Sequence, residues 1–337
     1  ILKILRLLWI FNFIYHEYVQ FEWNVLSCDY PSSAPGDYYK LMLLADPQLT
    51  DHFSYKQKDG ILLTATMFYS DIFMLKHYSA MLRWRTPDHV YYLGDLFDGG
   101  REWEDERWYN ELSRFNLIFN KRNKQINYHY VPGNHDIGLG GRIKEDVVRR
   151  YESVFGSVNS HIKVGNYTLI TINSLGLVNN DESVLKFIKK FEPSQNNIVL
   201  SHIPFYREGS IKCGPLRDPR ASHDRIHQGF GIQYQNLIYK RQSELILNQI
   251  KPKFIFSGDD HDACLIAHSN ETVEFSVPSY SWLQGSLQPG YLLLTIPKNS
   301  SLDAEFKLCT FHTQLYTYYL YIYFLVFTIC LLVFLVF

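Results

Sequence analysis

Five short hydrophobic runs in this sequence each end at, or within a few residues of, a polar side chain that can bind a metal ion. In chain order these side chains are Asp46, Asp95, Asn134, His202 and His261. Longer periodic stretches lie between the runs, and this alternation is typical of an α/β domain. Because functional groups of such domains gather where the strands end, we expect these side chains to meet at one place.

Eight hydrophobic runs rich in Leu, Ile, Val and Tyr predict strands, and five longer stretches predict helices. The predicted strands cover residues 40–45, 89–93, 127–131, 167–172, 197–200, 253–256, 274–277 and 291–296. The predicted helices cover residues 62–84, 102–120, 144–155, 182–191 and 236–249. The 337 residues suffice for one good-sized core, so a single catalytic domain is expected.

The strand-end motifs combine residue types that are unusual together. They read Ala45-Asp46-Pro47-Gln48, Gly94-Asp95-Leu96-Phe97-Asp98, Pro132-Gly133-Asn134-His135-Asp136, Ser201-His202-Ile203-Pro204 and Ser257-Gly258-Asp259-Asp260-His261-Asp262. Each motif alone is explained by a helix cap or a turn. All five in this order indicate a metal site, in which Gly94, Gly133 and Gly258 allow sharp backbone turns.

A pair of divalent ions requires this mixture of ligands. Two such ions lie about 3.5–4 Å apart, repel each other and need a shared anion between them. Asp95 is the predicted bridge, and oxygen and imidazole ligands would complete each shell. A water between the ions would become nucleophilic towards phosphorus, which predicts hydrolysis of a phosphate ester.

The motifs resemble those of the calcineurin-like metallophosphoesterase superfamily over residues 40–296. The resemblance implies an α/β, four-layer fold with a central β-sandwich flanked by helices. It also implies that one metal binds Asp46, Asp95 and His261, and that the other binds Asp95, Asn134 and His202. His135 would act near the leaving group, as acid or oxyanion partner, with Asp136 holding its ring.

The chain departs from that superfamily pattern at two positions. Gln48 and Asp259 stand where histidines are usual, and both are further candidate ligands. Each replacement exchanges a nitrogen ligand for an oxygen, and harder ligands favour manganese or magnesium over zinc. We therefore expect two divalent ions, with Mn²⁺ as the metal.

The stretches around the motifs have a closer resemblance. Ala-Asp-Pro-Gln-Leu, Gly-Asp-Leu-Phe-Asp-Gly-Gly-Arg, Cys-Gly-Pro-Leu-Arg and Gly-Ile-Gln-Tyr-Gln-Asn resemble the GPI-glycan ethanolamine-phosphate phosphodiesterases of the early secretory pathway, including the fungal cell-division-control and manganese-homeostasis branch. This implies removal of an ethanolamine-phosphate side branch from a mannose of the GPI anchor. The glycan of a GPI-anchored protein would be the substrate.

Both ends of the chain are apolar. Residues 316–337 contain no charged side chain, which predicts a transmembrane helix. Residues 1–22 fit either a signal peptide or a signal anchor, and Lys3 and Arg6 favour the anchor with its amino terminus in the cytosol. The expected order is this segment, a linker at 23–38, a lumenal metallophosphoesterase domain at 39–298, a linker at 299–315 and the span.

Compartment and partners follow from composition. Sequons begin at Asn166, Asn270 and Asn299, which fits a lumenal domain. The resemblance implies a location in the membrane of the endoplasmic reticulum or the ER–Golgi intermediate. Five cysteines are too few for a disulfide framework, and Cys213 and Cys264 could pair or stay free. A net charge of -1 gives no support for a nucleic-acid partner.

Two arginines are candidate substrate-binding residues, and two other functions compete with GPI-glycan hydrolysis. Arg207 and Arg217 could bind the substrate phosphate or could be solvated loop charges. The alternatives to GPI-glycan hydrolysis are another membrane-bound phosphohydrolase, with a nucleotide or lipid headgroup as substrate, and a catalytically weak metal-binding scaffold. The His135-Asp136 pair and Asp95 favour an enzyme, because a scaffold needs neither.

Overall fold

The computed structural model describes residues 2–31, 37–55, 60–119, 125–221, 223–269, 271–298 and 302–336. Its strands are β1 Tyr38–Leu44, β2 His89–Tyr92, β3 Asn127–Tyr130, β4 Ser160–Val164, β5 Tyr167–Thr171, β6 Asn197–Leu200, β7 Phe230–Gly231, β8 Tyr234–Gln235, β9 Phe254–Ser257, β10 Cys264–Ala267, β11 Val273–Ser276, β12 Gly290–Pro297 and β13 Glu305–Thr310.

The α-helices are α1 Leu2–Ile14, α2 Gln20–Leu26, α3 Ile61–Arg85, α4 Asp105–Ile118, α5 Asn134–Ile137, α6 Glu145–Phe155, α7 Ser174–Val178, α8 Glu182–Ile188, α9 Lys240–Ile250 and α10 Gln314–Val336. A π-helical turn, Tyr15–Val19, joins α1 to α2. All eight predicted strands and all five predicted helices are confirmed, with strand ends shifted by at most two residues.

Two sheets face each other. One has the strand order β13-β12-β1-β2-β3 and the other the order β10-β11-β9-β6-β5-β4. Alternate side chains of both sheets form one apolar cluster, for instance Leu41 and Leu43 of β1 with Ile198 and Leu200 of β6. Because side chains alternate along a strand, their neighbours point to the outer faces, where the helices pack. The chain therefore has a mixed α/β fold.

The direction of the strands determines where the site lies. β1, β2 and β3 are parallel, and β5, β6, β9 and β11 are parallel in the other sheet. Each set therefore brings its carboxyl ends to one edge. β13 is antiparallel to β12, which is antiparallel to β1, so β13 also ends at the edge where β1 ends. We call this the metal edge.

Five strands were missed by the sequence interpretation: β4, β10 and β13 at the edges of the two large sheets, and the short pair β7 and β8. Polar residues such as Lys163 in β4 and Lys307 in β13 interrupt the hydrophobic runs, because an edge strand faces solvent on one side. The predicted linker at 299–315 is accordingly wrong in part, since β13 pairs with β12 along six residues. The predicted linker at 23–38 begins within α2.

The terminal helices pack against each other. Within the described chain one helix, Gln314–Leu335, is long and apolar enough to cross a bilayer, with a mean hydropathy of 2.3. The Trp9 indole of α1 donates a hydrogen bond to Thr328 of α10 and contacts the Phe324 ring. Helical structure continues from Leu2 to Leu26, beyond the predicted end of the first segment at residue 22.

Two disulfides link distant parts of the chain. Cys213 pairs with Cys264, which answers the alternative that the sequence left open. Cys28 pairs with Cys309 and joins the end of the α1–α2 segment to β13, a pairing that the sequence did not predict. Cys330, in α10, is free and exposed.

Candidate metal centre

Three buried side chains meet at the metal edge. The ligand atoms of Asp46, Asp95 and His202 all lie within 4.8 Å of one another. Asp46 and Asp95 follow β1 and β2 of one sheet, and His202 follows β6 of the other. The centre is therefore assembled across the sandwich, which fits its prediction as a strand-end site.

A backbone hydrogen bond orients the His202 ring. Its Nδ1 lies 2.8 Å from the carbonyl oxygen of Leu93. A carbonyl can only accept, so Nδ1 carries a proton, and release of the Nε2 proton gives the tautomer whose Nε2 lone pair faces the other candidate ligands. Nε2 lies 3.0 Å from Asn134 Oδ1 and 3.4 Å from an oxygen of Asp95. This tautomer suits metal binding through Nε2.

The amide of Asn134 is oriented in the same manner. Its Nδ2 donates a 2.8 Å hydrogen bond to the Gln233 carbonyl, in the turn between β7 and β8. The Oδ1 atom therefore faces His202. Gln233 also accepts a hydrogen bond from the Leu139 N–H through its side chain. The sequence interpretation missed Gln233, because nothing in its local pattern relates it to a residue about a hundred positions away.

The two replaced positions of the family pattern also reach this region. Asp259 lies 3.4 Å from His202 Nε2, and its N–H donates a 3.0 Å hydrogen bond to Asp46 Oδ2. Gln48 donates from Nε2 to Asp98 at 2.9 Å. Among the described residues, no hydrogen-bond partner faces the buried Oε1 of Gln48 or the buried Oδ1 of Asp46. Both oxygens are free to accept a cation.

Electrostatics shows that these residues fit divalent ions. Burial raises the pKa of Asp46 well above its usual value, with repulsion from Asp95 and Asp259 opposing the attraction of His202. Burial would also raise the pKa of Asp95, but His202 and His135 outweigh it and lower that pKa. Crowded buried carboxylates with unpaired oxygens are costly unless a cation compensates them. Oxygen and imidazole donors are ligands that Mn²⁺ accepts.

The backbone is strained where the ligands sit. Of the nine described non-glycine residues with positive φ, five belong to the motifs: Asp46, Gln48, Asp95, Asp259 and His261. Such conformations are rare and cluster at functional sites. Gly133 is required for space, because a Cβ there would lie 2.1 Å from an Asp95 oxygen.

The structure corrects the predicted partner of His135. Its Nδ1 lies 2.6 Å from the Asp98 carbonyl and 2.9 Å from the Asp98 carboxylate. Asp136 instead accepts hydrogen bonds from the N–H groups of Leu96, Phe97 and Gly133. Asp136 thus shapes the loops, whereas Asp98 holds the ring. Asp98 is the last residue of the second motif, so its position was a usable indication.

The environment of His135 keeps its imidazole protonated. Burial alone would lower its pKa, but Asp95 and the hydrogen bond to Asp98 raise the pKa to about 9. Burial raises the pKa of Asp136 to about 7, and Asp95 adds to that shift. A protonated imidazole beside a metal centre can donate a proton to a leaving oxygen.

His261 faces a cavity beside these residues. The cavity has a volume of about 320 Å³ and is lined by Arg217, Asp260, His261, Asp262 and Gln284, among others. Burial lowers the pKa of His261, against the opposing effect of Asp259 and Asp95. Arg217 forms ion pairs of 2.5 Å with Asp260 and 3.7 Å with Asp262. The structure thus places Arg217, but not Arg207, on this cavity.

Arg207 occupies a different environment. It is buried and forms a 3.0 Å ion pair with Glu274, and its guanidinium contacts the Cys264 sulfur. A guanidinium that is only 3% exposed and paired with Glu274 is not accessible to a substrate. This placement argues against the substrate-binding role that we predicted for Arg207 and indicates a structural one.

Comparison with known proteins agrees with this geometry. A family model described as calcineurin-like phosphoesterase matches residues 41–263. The chain is 31% identical to Cell division control protein 1 of Saccharomyces cerevisiae, over 93% of this chain and 68% of that protein. It is 24% identical to Metallophosphoesterase 1 of Ailuropoda melanoleuca, over 82% and 78% of the two chains. It is also 25% identical to the Metallophosphoesterase 1 homolog of Caenorhabditis elegans, over 94% of this chain and 87% of that protein.

Proposed function

Because this chain belongs to the calcineurin-like phosphoesterase family, it is a hydrolase of phosphate esters, and we propose that it is a membrane-anchored phosphodiesterase that uses two divalent ions. The observation that carries the proposal is the convergence of Asp46, Asp95 and His202 within 4.8 Å, with a buried Asp46 oxygen that no described residue meets with a hydrogen bond.

Each ion has a set of candidate ligands in this chain. Asp46, Asp95 and His261 would hold one ion, with Gln48 or Asp259 as a further oxygen ligand. Asp95, Asn134 and His202 would hold the other. When bound, such a pair lowers the pKa of a water molecule and neutralises charge on the phosphate. We expect Mn²⁺ because the two replaced histidines increase the share of oxygen ligands.

His135 is the proposed proton donor. Asp98 holds its Nδ1, so the other ring nitrogen is available to the leaving oxygen of the ester. Asp95 and the hydrogen bond to Asp98 outweigh burial and raise the pKa of this ring, which favours the protonated imidazole that a proton donor requires. Arg217 contributes a cation to the cavity wall that Asp260 and Asp262 compensate, and we propose that it orients the substrate.

We propose as substrate the ethanolamine-phosphate side branch on a mannose of the GPI anchor. The closer resemblance of the stretches around the motifs supports this, and so does the similarity to Cell division control protein 1. Two disulfides suit an oxidising lumen. Asn166 is exposed in the turn between β4 and β5, whereas Asn270 and Asn299 lie outside the described residues.

These features support a location in the membrane of the endoplasmic reticulum or the ER–Golgi intermediate, with the catalytic domain lumenal. In this arrangement α10 would span the bilayer and α1 would accompany it. The proposed partners are therefore the lipid bilayer and the glycans of GPI-anchored proteins.

Two experiments test the proposal. The purified full chain with Mn²⁺ should hydrolyse bis(p-nitrophenyl) phosphate, and Asp95→Asn should lower the rate by more than about 100-fold. Asp105→Asn, an exposed change on α4, should leave the rate unaltered. In cells that lack the protein, mass spectrometry of GPI glycans should show persistent extra ethanolamine phosphate.

The outcomes separate the competing functions. Metal binding without hydrolysis would identify a scaffold and overturn the enzyme. Hydrolysis of the aryl diester with normal GPI glycans in deficient cells would retain the phosphodiesterase but reject the proposed substrate.

A further inference from the structure

The first ten residues of α3 carry no charge, and five of them, including four large apolar or aromatic side chains, are exposed. Residues 61–70 contain no Asp, Glu, Lys or Arg. Ile61 is 92% exposed and Leu62 is 71% exposed, and Phe68 and Tyr69 are also exposed. A helix on the surface of a soluble domain usually turns polar residues outwards. An exposed apolar stretch of three turns indicates an interaction surface.

This stretch extends beyond the sheet. The 25 residues of α3 span about 37 Å at 1.5 Å per residue, whereas the 7 residues of β1 span about 23 Å. Only residues 86–88 separate the end of α3 from β2, so that end is held close to the sheet. The excess length therefore lies at the start of the helix, which projects beyond the metal edge.

The apolar helix α10 leaves the domain from the same edge. β13 ends at the metal edge, and α10 begins four residues after it. The ring of Tyr69 in α3 lies 5.8 Å from the ring of Tyr318 in α10. The exposed start of α3 is thus continuous with the surface of the one described helix that could cross a bilayer.

Exposed aromatic residues also occur on the neighbouring helices. On α10 and on the helical segment packed beside it they are Tyr15, Tyr18, Trp23, Tyr316, Tyr319 and Tyr323. Tyrosine and tryptophan are enriched where membrane proteins cross the boundary between lipid and water. With α10 in a bilayer, these residues would lie near that boundary, and so would Tyr69, which contacts Tyr318 of α10.

We propose that the start of α3, residues 61–69, rests on the lipid surface and holds the metal edge against the membrane. A lipid surface is favoured over a second copy of the chain or a soluble partner because the patch continues the surface of α10. The inference rests on the membrane anchoring proposed above and extends it to a second lipid contact, made by the catalytic domain itself.

The same contact bears on the substrate. Tyr318 also lies 6.1 Å from the ring of Trp282. Trp282 precedes Gln284, Gly285, Ser286 and Leu287, which line the cavity beside His261. The cavity therefore opens close to the lipid boundary. This placement suits a phosphoester carried on the headgroup region of a membrane-embedded molecule.

Depth-dependent fluorescence quenching tests the lipid contact without using activity. The full chain with Cys330→Ser would carry Leu62→Cys labelled with an environment-sensitive dye, in phosphatidylcholine nanodiscs. The matched control is Leu117→Cys, a leucine of similar exposure, 73%, near the end of α4. Because α4 leads from β2 to the start of β3, Leu117 lies towards the edge opposite the metal edge.

We expect lipids brominated on the acyl chains to quench the label at position 62 at least twofold more than the label at position 117. Equal quenching at the two positions would overturn the proposal. Shielding at position 62 without quenching by brominated lipid would also overturn it, in favour of a protein partner.

A functional comparison separates this inference from the proposed reaction. Leu62→Asp should slow hydrolysis of an ester embedded in phosphatidylcholine vesicles several-fold, with bis(p-nitrophenyl) phosphate hydrolysed as in the parent. Leu117→Asp should change neither rate. If Leu62→Asp hydrolyses the vesicle-embedded ester as fast as the parent, the lipid contact is contradicted. If the parent itself hydrolyses neither the embedded ester nor bis(p-nitrophenyl) phosphate, the proposed function is contradicted.

Discussion

His202 Nδ1 donates a 2.8 Å hydrogen bond to the carbonyl of Leu93, two residues before Asp95. His202 follows a strand of one sheet, and Leu93 follows a strand of the other. The bond therefore joins the two halves of the sandwich at the metal edge. It also makes His202 Nε2 the atom that faces Asp95, so the same contact serves the fold and the ligand geometry.

His202→Ala should remove both the hydrogen bond between the two sheets and the metal ligand. We expect metal content to fall and hydrolysis to drop more than about 100-fold, because a ligand is lost. The Leu93 carbonyl would stay buried without a partner, which costs about 1–3 kcal/mol. Elemental analysis and thermal unfolding measure the two losses. His161→Ala, at an exposed histidine of β4, should alter neither, and full metal content in His202→Ala would contradict the ligand assignment.

Asp98 and Asp136 should respond differently to the same change. Asp98→Asn weakens the support of the His135 ring and should lower kcat about 10–100-fold with KM nearly constant. Asp136→Asn replaces one of the two oxygens that accept the three loop N–H bonds with an NH2 group, which cannot accept, and should lower thermal stability. Steady-state kinetics and thermal unfolding of both variants distinguish these roles. An effect of Asp98→Asn on stability alone would show that Asp98 does not act through His135.

Gln48→His would restore the nitrogen donor of the family pattern. Because imidazole favours zinc more than an amide oxygen does, we expect the ratio of bound zinc to bound manganese to rise. Elemental analysis after dialysis against equal concentrations of the two metals measures this ratio. Gln125→His, at an exposed position just before β3 and away from the metal edge, is the control. An unchanged ratio would indicate that residue 48 is not a ligand.

Glu274 should make stability depend on pH. Burial would raise its pKa, but Arg207 and His268 outweigh burial and lower it below the usual 4.5. The carboxylate therefore stabilises the fold above pH 4.5, and this contribution is lost as the pH falls through the lowered pKa. Glu274→Gln should cost about 3 kcal/mol at pH 7, because Arg207 stays buried without its partner.

Unfolding of both proteins at pH 7 and at lower pH tests this expectation. The difference in the free energy of unfolding between the parent and Glu274→Gln should narrow below pH 4.5. Glu271→Gln, at an exposed neighbouring position, should show no difference at either pH. A difference in the free energy of unfolding that grows as the pH falls would contradict the sign of the pKa shift.

The disulfide between Cys28 and Cys309 closes a loop with a sequence separation of 281 residues. In the chain-entropy account, a loop of this length stabilises the fold by up to about 5 kcal/mol. The double variant Cys28→Ser with Cys309→Ser should therefore unfold at a markedly lower temperature. Cys330→Ser, which breaks no disulfide, is the matched control. Equal melting temperatures would show that the bridge adds nothing to stability.

Much of this architecture was predictable because it is encoded locally. The strands around Asp46, Asp95 and His202 are continuous apolar runs, and the ligand motifs directly follow them. Edge strands such as β13 were not predicted, because alternation with polar residues weakens the hydrophobic pattern. The role of Asp98 in holding the His135 ring was not predicted either, since Asp136 is next to His135 in sequence and Asp98 is next to it in space.

By itself the sequence determined the order of the elements, the residue types available as ligands and the apolar character of both ends, all of which depend on neighbouring residues. Only the tertiary structure decided that Arg207 is buried against Glu274, that Cys28 meets Cys309 and that the start of α3 lies beside α10. These contacts join residues far apart in the chain. Their partners depend on how the sheets and helices pack, which no local pattern contains.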